Sequence, residues 1–196
     1  VKIVQVKCPN CGQPIYQKSK DPMFLCQNCG AIHYRDDTGA HMVAFEIAGA
    51  NPSATGQKSY MPFWRLRCDF NIRSRDVEGG MFHKLATSLR GGDNGGVLYI
   101  FVPAADLDTV TFRRLAVTLT SAPPRYTVRQ DFNGIERIPA TMRQDEAIEM
   151  ADFVAVTLEA EKPGTLQYLD YDLKVQEAKL LYLPVVNAQN GPWPAL

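Results

Sequence analysis

The chain has no apolar stretch long enough to cross a membrane as a helix. Its longest run, Val97 to Ala105, is nine residues with a proline inside it, whereas a span takes about 20. Charge of one sign is lacking too. Among 196 residues, 21 Lys and Arg stand against 21 Asp and Glu, so bulk charge gives no reason to expect a nucleic-acid or membrane binder. A 45% hydrophobic and 21% charged composition excludes intrinsic disorder. The opening Val1-Lys2-Ile3-Val4-Gln5-Val6-Lys7 is too short and too interrupted for a secretory signal. Cytoplasm is therefore the expected compartment, with a segment upstream of Val1 left open.

Signatures of catalysis are also missing. There is no G-x-S-x-G, no H-E-x-x-H and no kinase set. Gly91-Gly92-Asp93-Asn94-Gly95-Gly96 lies between an expected helix and an expected strand, the reverse of the strand-to-helix order of a phosphate loop. Gly79-Gly80 precedes that helix but lacks the Lys and Ser of a P-loop. No catalytic constellation assembles, which leans the reading away from an enzyme.

What the chain does have is five cysteines: Cys8, Cys11, Cys26, Cys29 and Cys68. Four form two C-x-x-C pairs, and an odd count in tight pairs points to a metal site in a reducing compartment rather than a disulfide framework. The pairs read Cys8-Pro9-Asn10-Cys11-Gly12 and Cys26-Gln27-Asn28-Cys29-Gly30. A C-x-x-C turn lets two thiolates reach one ion, and the glycine after it can take the positive φ that closes the turn. Four thiolates complete a tetrahedron at about 2.3 Å, which suits Zn²⁺ in size and softness. Over residues 1–37 the chain resembles the zinc-ribbon family with its two rubredoxin-like knuckles. The resemblance implies a small module folded around one structural zinc.

Other chemistries share these ligands. Iron could occupy the same four thiolates. Two redox dithiols would not need matched glycines, and a catalytic zinc would need an open position that four cysteines close. His33 and His41 find no vacancy in the site and read as ordinary surface histidines. Met23-Phe24-Leu25 should enter the second knuckle and Ala31-Ile32-His33-Tyr34 should leave it, with Lys18 to Pro22 as the turn between the knuckles.

The remaining residues, 38–196, read as an α+β domain: a mixed sheet with two or three helices, or a partly parallel α/β sheet. Asp36 to Gly39 forms a turn and His41 to Ala48 a first strand. Tyr60 to Ile72 alternates, with Tyr60, Pro62, Trp64, Leu66, Cys68, Phe70 and Ile72 on one face. That alternation makes Cys68 a core residue rather than a ligand. Phe82, Leu85, Ala86 and Leu89 share the helical pattern of Phe112, Leu115, Ala116 and Leu119, the latter capped by Asp108. Val97 to Val102 reads as a central strand buried on both faces. Arg125 to Asp131 reads as a short strand, with an Asn133-Gly134 turn after it. A weaker helix covers Arg143 to Ala151, and Phe153 to Glu161, Leu166 to Val175 and Leu180 to Val186 read as strands. Hydrophobic matching then pairs Val154 with Leu173 and Val156 with Tyr171 in a hairpin. Three prolines beside apolar pairs, Pro62, Pro103 and Pro184, should mark strand ends, edges or bulges. The tail from Asn187 reads as irregular.

Charge is uneven along the chain. Residues 58–90 hold seven Lys and Arg against three acids, and residues 141–180 hold four against nine. Arg65, Arg67, Arg73 and Arg75 are the densest basic group, with Phe63 on the same strand face as the first three. An arginine-and-aromatic strand face is one way to bind a single-stranded nucleic acid. Asp170 and Asp172, with Glu159 on a neighbouring strand, make an acidic face that is solvated or holds a divalent cation. Two functions follow. The first is a non-enzymatic interaction or scaffold protein with a protein partner, and the alternative is a nucleic-acid binder using Arg65 to Arg75.

Overall fold

The computed structural model describes residues 6–15, 23–49, 56–78, 95–162, 164–188 and 191–194. Its spine is a pair of long antiparallel strands, β5 (Lys58–Glu78) and β9 (Thr165–Ala188). The expected alternation of β5 holds: Tyr60, Trp64, Leu66, Cys68 and Phe70 are buried on one face, while Asp69 and Asn71 are exposed on the other. Strand β6 (Gly95–Pro103) pairs with the other side of β5. Beyond β9 lie β4 (Phe45–Ala48), parallel to it, and then β7 (Val128–Arg129). Short strands β8 (Glu136–Arg137) and β10 (Gly191–Pro194) join β5 and β9, making a mixed seven-stranded sheet. Ahead of it stands a three-stranded antiparallel sheet of β1 (Phe24–Leu25), β2 (Ile32–Asp36) and β3 (Gly39–Val43). The fold is mixed α and β, as the sequence implies.

The helices cover opposite faces of the large sheet. Helix α1 (Thr109–Ser121) starts at Asp108, whose carboxylate accepts from the N–H groups of Val110 and Thr111 at 3.0 Å each. That cap was legible in the sequence. Leu115 and Leu119 of α1 pack with Met61, Phe63, Phe101, Leu181 and Leu183. Helix α2 (Gln144–Ala160) packs Ala147, Ala151, Val154 and Ala155 over the Trp64, Cys68 and Tyr182 face. No helix among the described residues is long and apolar enough to cross a membrane. The helix expected around Phe82 to Leu89 lies outside the described residues.

Several expectations are corrected. Phe153 to Glu161 is not a strand but the second half of α2 and its C-cap. Its β-branched residues suggested a strand, yet the stripe Ala147, Ala151, Val154, Ala155, Leu158 has a helical period, and burial of that stripe wins. The proposed hairpin disappears with the strand. Leu173 pairs with Phe70, and Tyr171 with Ile72. The two late strands are one, continuous through Gln176, which bulges between the pairs Arg67–Glu177 and Cys68–Val175. His41 to Ala48 divides at Ala44 between the two sheets, and the Ala44 carbonyl accepts from the Leu180 N–H at 3.0 Å. Among the described residues β6 stands at the end of the sheet, not its centre. It is apolar because helices flank its second half, while Tyr99 is exposed. Residues 191–194 of the tail form β10.

The prolines fall at seams between strands. The Pro62 carbonyl accepts from Ala104 just past the end of β6, and the Tyr60 carbonyl accepts from Ile138 just past β8. The missing N–H of Pro62 thus faces the gap between two neighbours. Pro184 occupies the equivalent gap on β9, after the β4 pairing ends at Tyr182 and before β10 begins at Val185.

Candidate metal centre

Two short loops of the same construction carry the four N-terminal cysteines. In the first, the Gly12 N–H donates to the Cys8 carbonyl at 2.9 Å and the Cys8 N–H to the Gln13 carbonyl at 2.9 Å. In the second, Gly30 donates to Cys26 at 2.8 Å and Cys26 to Ala31 at 2.9 Å. Gly12 and Gly30 have φ of 74° and 71°, the left-handed conformation that a side chain disfavours. Strands β1 and β2 then hold the second loop rigid, and an isolated Lys7–Pro14 bridge closes the first.

The four sulfurs lie within 4.8 Å of one another. Cys8 Sγ is 3.6 Å from Cys29 Sγ, and Cys11 Sγ is 3.6 Å from Cys26 Sγ. A tetrahedron with 2.3 Å metal–sulfur bonds has edges of about 3.8 Å. The cysteines are thus arranged to hold a metal ion. Cys8 and Cys26 are buried and Cys29 is exposed.

Two asparagines tune this sulfur cluster, and the sequence reading passed over them. Asn10 Nδ2 donates to Cys29 Sγ at 3.5 Å, and Asn28 Nδ2 donates to Cys11 Sγ at 3.5 Å. Each knuckle thereby supports the last cysteine of the other. The Asn10 amide, then the Ala31 backbone N–H, holds the Cys29 thiol down to about 6. The Gln13 backbone, then Asn28, lowers that of Cys11. The signal was available: Asn precedes the second cysteine in both knuckles. Such outer partners orient and charge metal ligands.

Cys68 sits apart, fully buried in the sheet core, with burial and then the Asp69 and Asp152 carboxylates pushing its thiol up to about 12. The histidines are not both surface residues. His41 Nε2 is 2.9 Å from Asp36 Oδ1 and from Thr38 Oγ1. His33, in contrast, is fully buried, stacks on Phe24 at 5.4 Å, and has no hydrogen-bond partner at either ring nitrogen. It lies on the middle strand β2, paired with Phe24 and Met42, on the face opposite Ile32 and Val43. Burial, then Arg35, lowers its pKa. Met23, Ile32 and Val43 belong to one apolar cluster with Trp64 and Tyr182, so the three-stranded sheet and the large sheet share packing. Arg143, at the head of α2, places its guanidinium 5.9 Å over the Tyr34 ring.

The arginines of β5 take several environments. Arg65 donates to Glu46 at 3.3 Å and to the Tyr126 hydroxyl, and Lys179 donates to the same Glu46 at 2.8 Å. Arg73 grips Asp172 and, at 3.1 Å, Asp170. Arg75 turns to the α2 face, reaching Glu159 at 3.2 Å, where Lys162 adds a 2.7 Å bond. Arg67 forms no ion pair among the described residues and stands across from half-exposed Tyr99. Phe63 shares the face of Arg65 and Arg67 but is fully buried under α1, so its ring is closed to a ligand. Glu159 lies on a helix, buried, rather than beside Asp170 and Asp172.

Comparison with protein-family models, curated proteins and solved structures finds no match to this chain.

Proposed function

We propose that this protein is a non-enzymatic interaction or scaffold protein, steadied by a structural zinc ribbon and docking another macromolecule in the cytoplasm. The observation that carries the reading is the all-cysteine tetrad, whose four sulfurs lie within 4.8 Å of one another, with 3.6 Å contacts from Cys8 to Cys29 and from Cys11 to Cys26 across the knuckles. Sulfurs of both knuckles gathered within reach of one point support one shared ion. Four thiolates fill a tetrahedral sphere and leave no place for a reacting water. Zinc then supplies folding energy, which a module with so little apolar interior needs. Iron in the same ligands is the competing metal.

A second reading, a single-stranded nucleic acid on the Arg65 to Arg75 strand, draws support from Arg67 beside Tyr99. It is weakened by the carboxylates on Arg65, Arg73 and Arg75, which would have to be displaced by phosphates. Co-purification from native extract with and without nuclease separates the two. The scaffold reading expects a protein partner that survives nuclease, and loss of all partners on nuclease treatment would favour the alternative.

A further inference from the structure

Many charged side chains of the large sheet are paired within the chain: Glu46, Glu177, Asp170 and Asp172 each meet an Arg or Lys, as do Glu159 and Glu161 at the C-terminal end of α2. The rest of helix α2 breaks this pattern. The helix's 17 residues hold no Lys or Arg, and Asp145, Glu146, Glu149 and Asp152 form no ion pair among the described residues. Glu146 caps the Arg143 N–H at 2.7 Å, and Asp152 accepts from the Tyr171 hydroxyl at 2.8 Å, but neither bond neutralises the charge.

The geometry gathers this charge on one side. Asp145, Glu149, Asp152 and Val156 are spaced four, three and four residues apart, so they line one ridge of the helix. Phe153 lies beside that ridge, one turn from both Glu149 and Val156. All five are exposed, Phe153 at 47% and Val156 at 39%. The opposite side of the helix, with Ala147, Ala151, Val154 and Ala155, faces the core, so the outward apolar pair lies outside the core-facing stripe. The ridge runs about 16 Å at 1.5 Å per residue, three turns of a helix with acids first and an apolar patch last.

We infer that this ridge of α2 is a docking surface for a basic amphipathic helix of another protein. Lys or Arg side chains of the partner would face Asp145, Glu149 and Asp152, and an apolar side chain would cover Phe153 and Val156. Charge complementarity selects the partner's sign, because carboxylates without an ion pair among the described residues, set beside an apolar patch, repel an acidic helix and reward a basic one. The inference rests on the interaction reading above and names its surface.

The test uses the full chain and fluorescent synthetic peptides of Lys and Leu with Leu at helical spacing, against a Glu-for-Lys version and a sequence-scrambled Lys–Leu version. Anisotropy should show binding of the basic amphipathic peptide that weakens as salt rises, with the acidic and scrambled versions at least tenfold weaker. Phe153→Gln with Val156→Gln should weaken binding by tenfold or more. Asp145→Asn with Glu149→Gln should flatten the salt dependence. Both variants should keep wild-type circular dichroism and metal content, since the changed side chains face solvent. Equal binding of the acidic peptide, or binding unchanged in the Phe153 and Val156 variant, would overturn the assignment. So would a concentration-dependent dimer that this variant abolishes, which would make a second copy the occupant. Native co-purification separates the two levels. A protein partner held equally by wild type and variant overturns the α2 surface and leaves the interaction reading standing, while no partner and no peptide binding overturns both.

Discussion

Asn10 of the first knuckle donates to the Sγ of Cys29 in the second, and Asn28 returns the bond to Cys11. The amides stabilise thiolates without adding charge, and they couple the knuckles before any metal is considered. Asn10→Ala should therefore lower metal affinity, by roughly 10-fold to 100-fold as for other outer-shell losses, with stoichiometry unchanged. The pH dependence has a definite sign. A thiol held down to about 6 contributes support to the folded site that is complete above the ordinary thiol range and is lost as pH falls from there through about 6, where protons also compete with the metal. Asn10→Ala should release metal at a higher pH than wild type, and a chelator competition across pH 5 to 8 checks this. Identical release curves would leave the Asn10 contact without a role.

The buried carboxylate of Glu159 gives a second expectation. It is 4% exposed and is paired with Arg75 and Lys162. Arg75→Met leaves it with Lys162 alone. Removing a partner from a fully buried pair costs about 3–5 kcal/mol. Here Arg75 is itself about a quarter exposed, so a loss of roughly 1–3 kcal/mol is expected on that basis. Urea denaturation measures it, and an unchanged midpoint would contradict the clamp. Adding Glu159→Gln should recover part of the loss.

The legible part of the fold is the part where neighbouring residues in sequence decide it. Two C-x-x-C-G loops, the Asp108 cap and the period-two pattern of β5 are local, and each stands as read. The second half of α2 was misread because Val154, Val156 and Thr157 favour strands locally, whereas Ala147, Ala151 and Val154 are buried together by a sheet formed from distant residues. The continuity of β9 through Gln176 also escaped, since a bulge has no signature until its partner strand is known. At the site, the four sulfurs were legible from spacing alone. Asn10 and Asn28 act across the knuckles, and His33 is buried in the folded chain with Phe24 stacked on it, so neither effect follows from adjacency.

The arginines of β5 offer a third check. Arg65→Gln, Arg67→Gln and Arg73→Gln together should leave retention on a single-stranded oligonucleotide unchanged. They should cost stability instead, at about 0–1 kcal/mol for each exposed pair. Salt-sensitive binding by the wild type that the triple variant loses would establish the nucleic-acid reading.

Shared packing between the small and large sheets sets the extent of metal-dependent folding. Met23, Ile32 and Val43 lie in one cluster with Trp64 and Tyr182. Chelation should therefore expose amides through β1, β2 and β3, as far as Val43, while the β5–β9 spine keeps its protection in hydrogen exchange. Loss confined to residues before 37 would mean that the packing is energetically idle, and loss along the whole spine would mean that the metal supports the entire fold.

The central claim, a structural zinc held by Cys8, Cys11, Cys26 and Cys29 with Cys68 uninvolved, is tested most directly by elemental analysis of wild type, Cys68→Ser and Cys29→Ser. The expected result is about one equivalent of zinc in wild type and in Cys68→Ser, as four-thiolate sites bind, and a marked loss in Cys29→Ser. Iron in place of zinc, less than about half an equivalent in wild type, or zinc lost with Cys68 would contradict it.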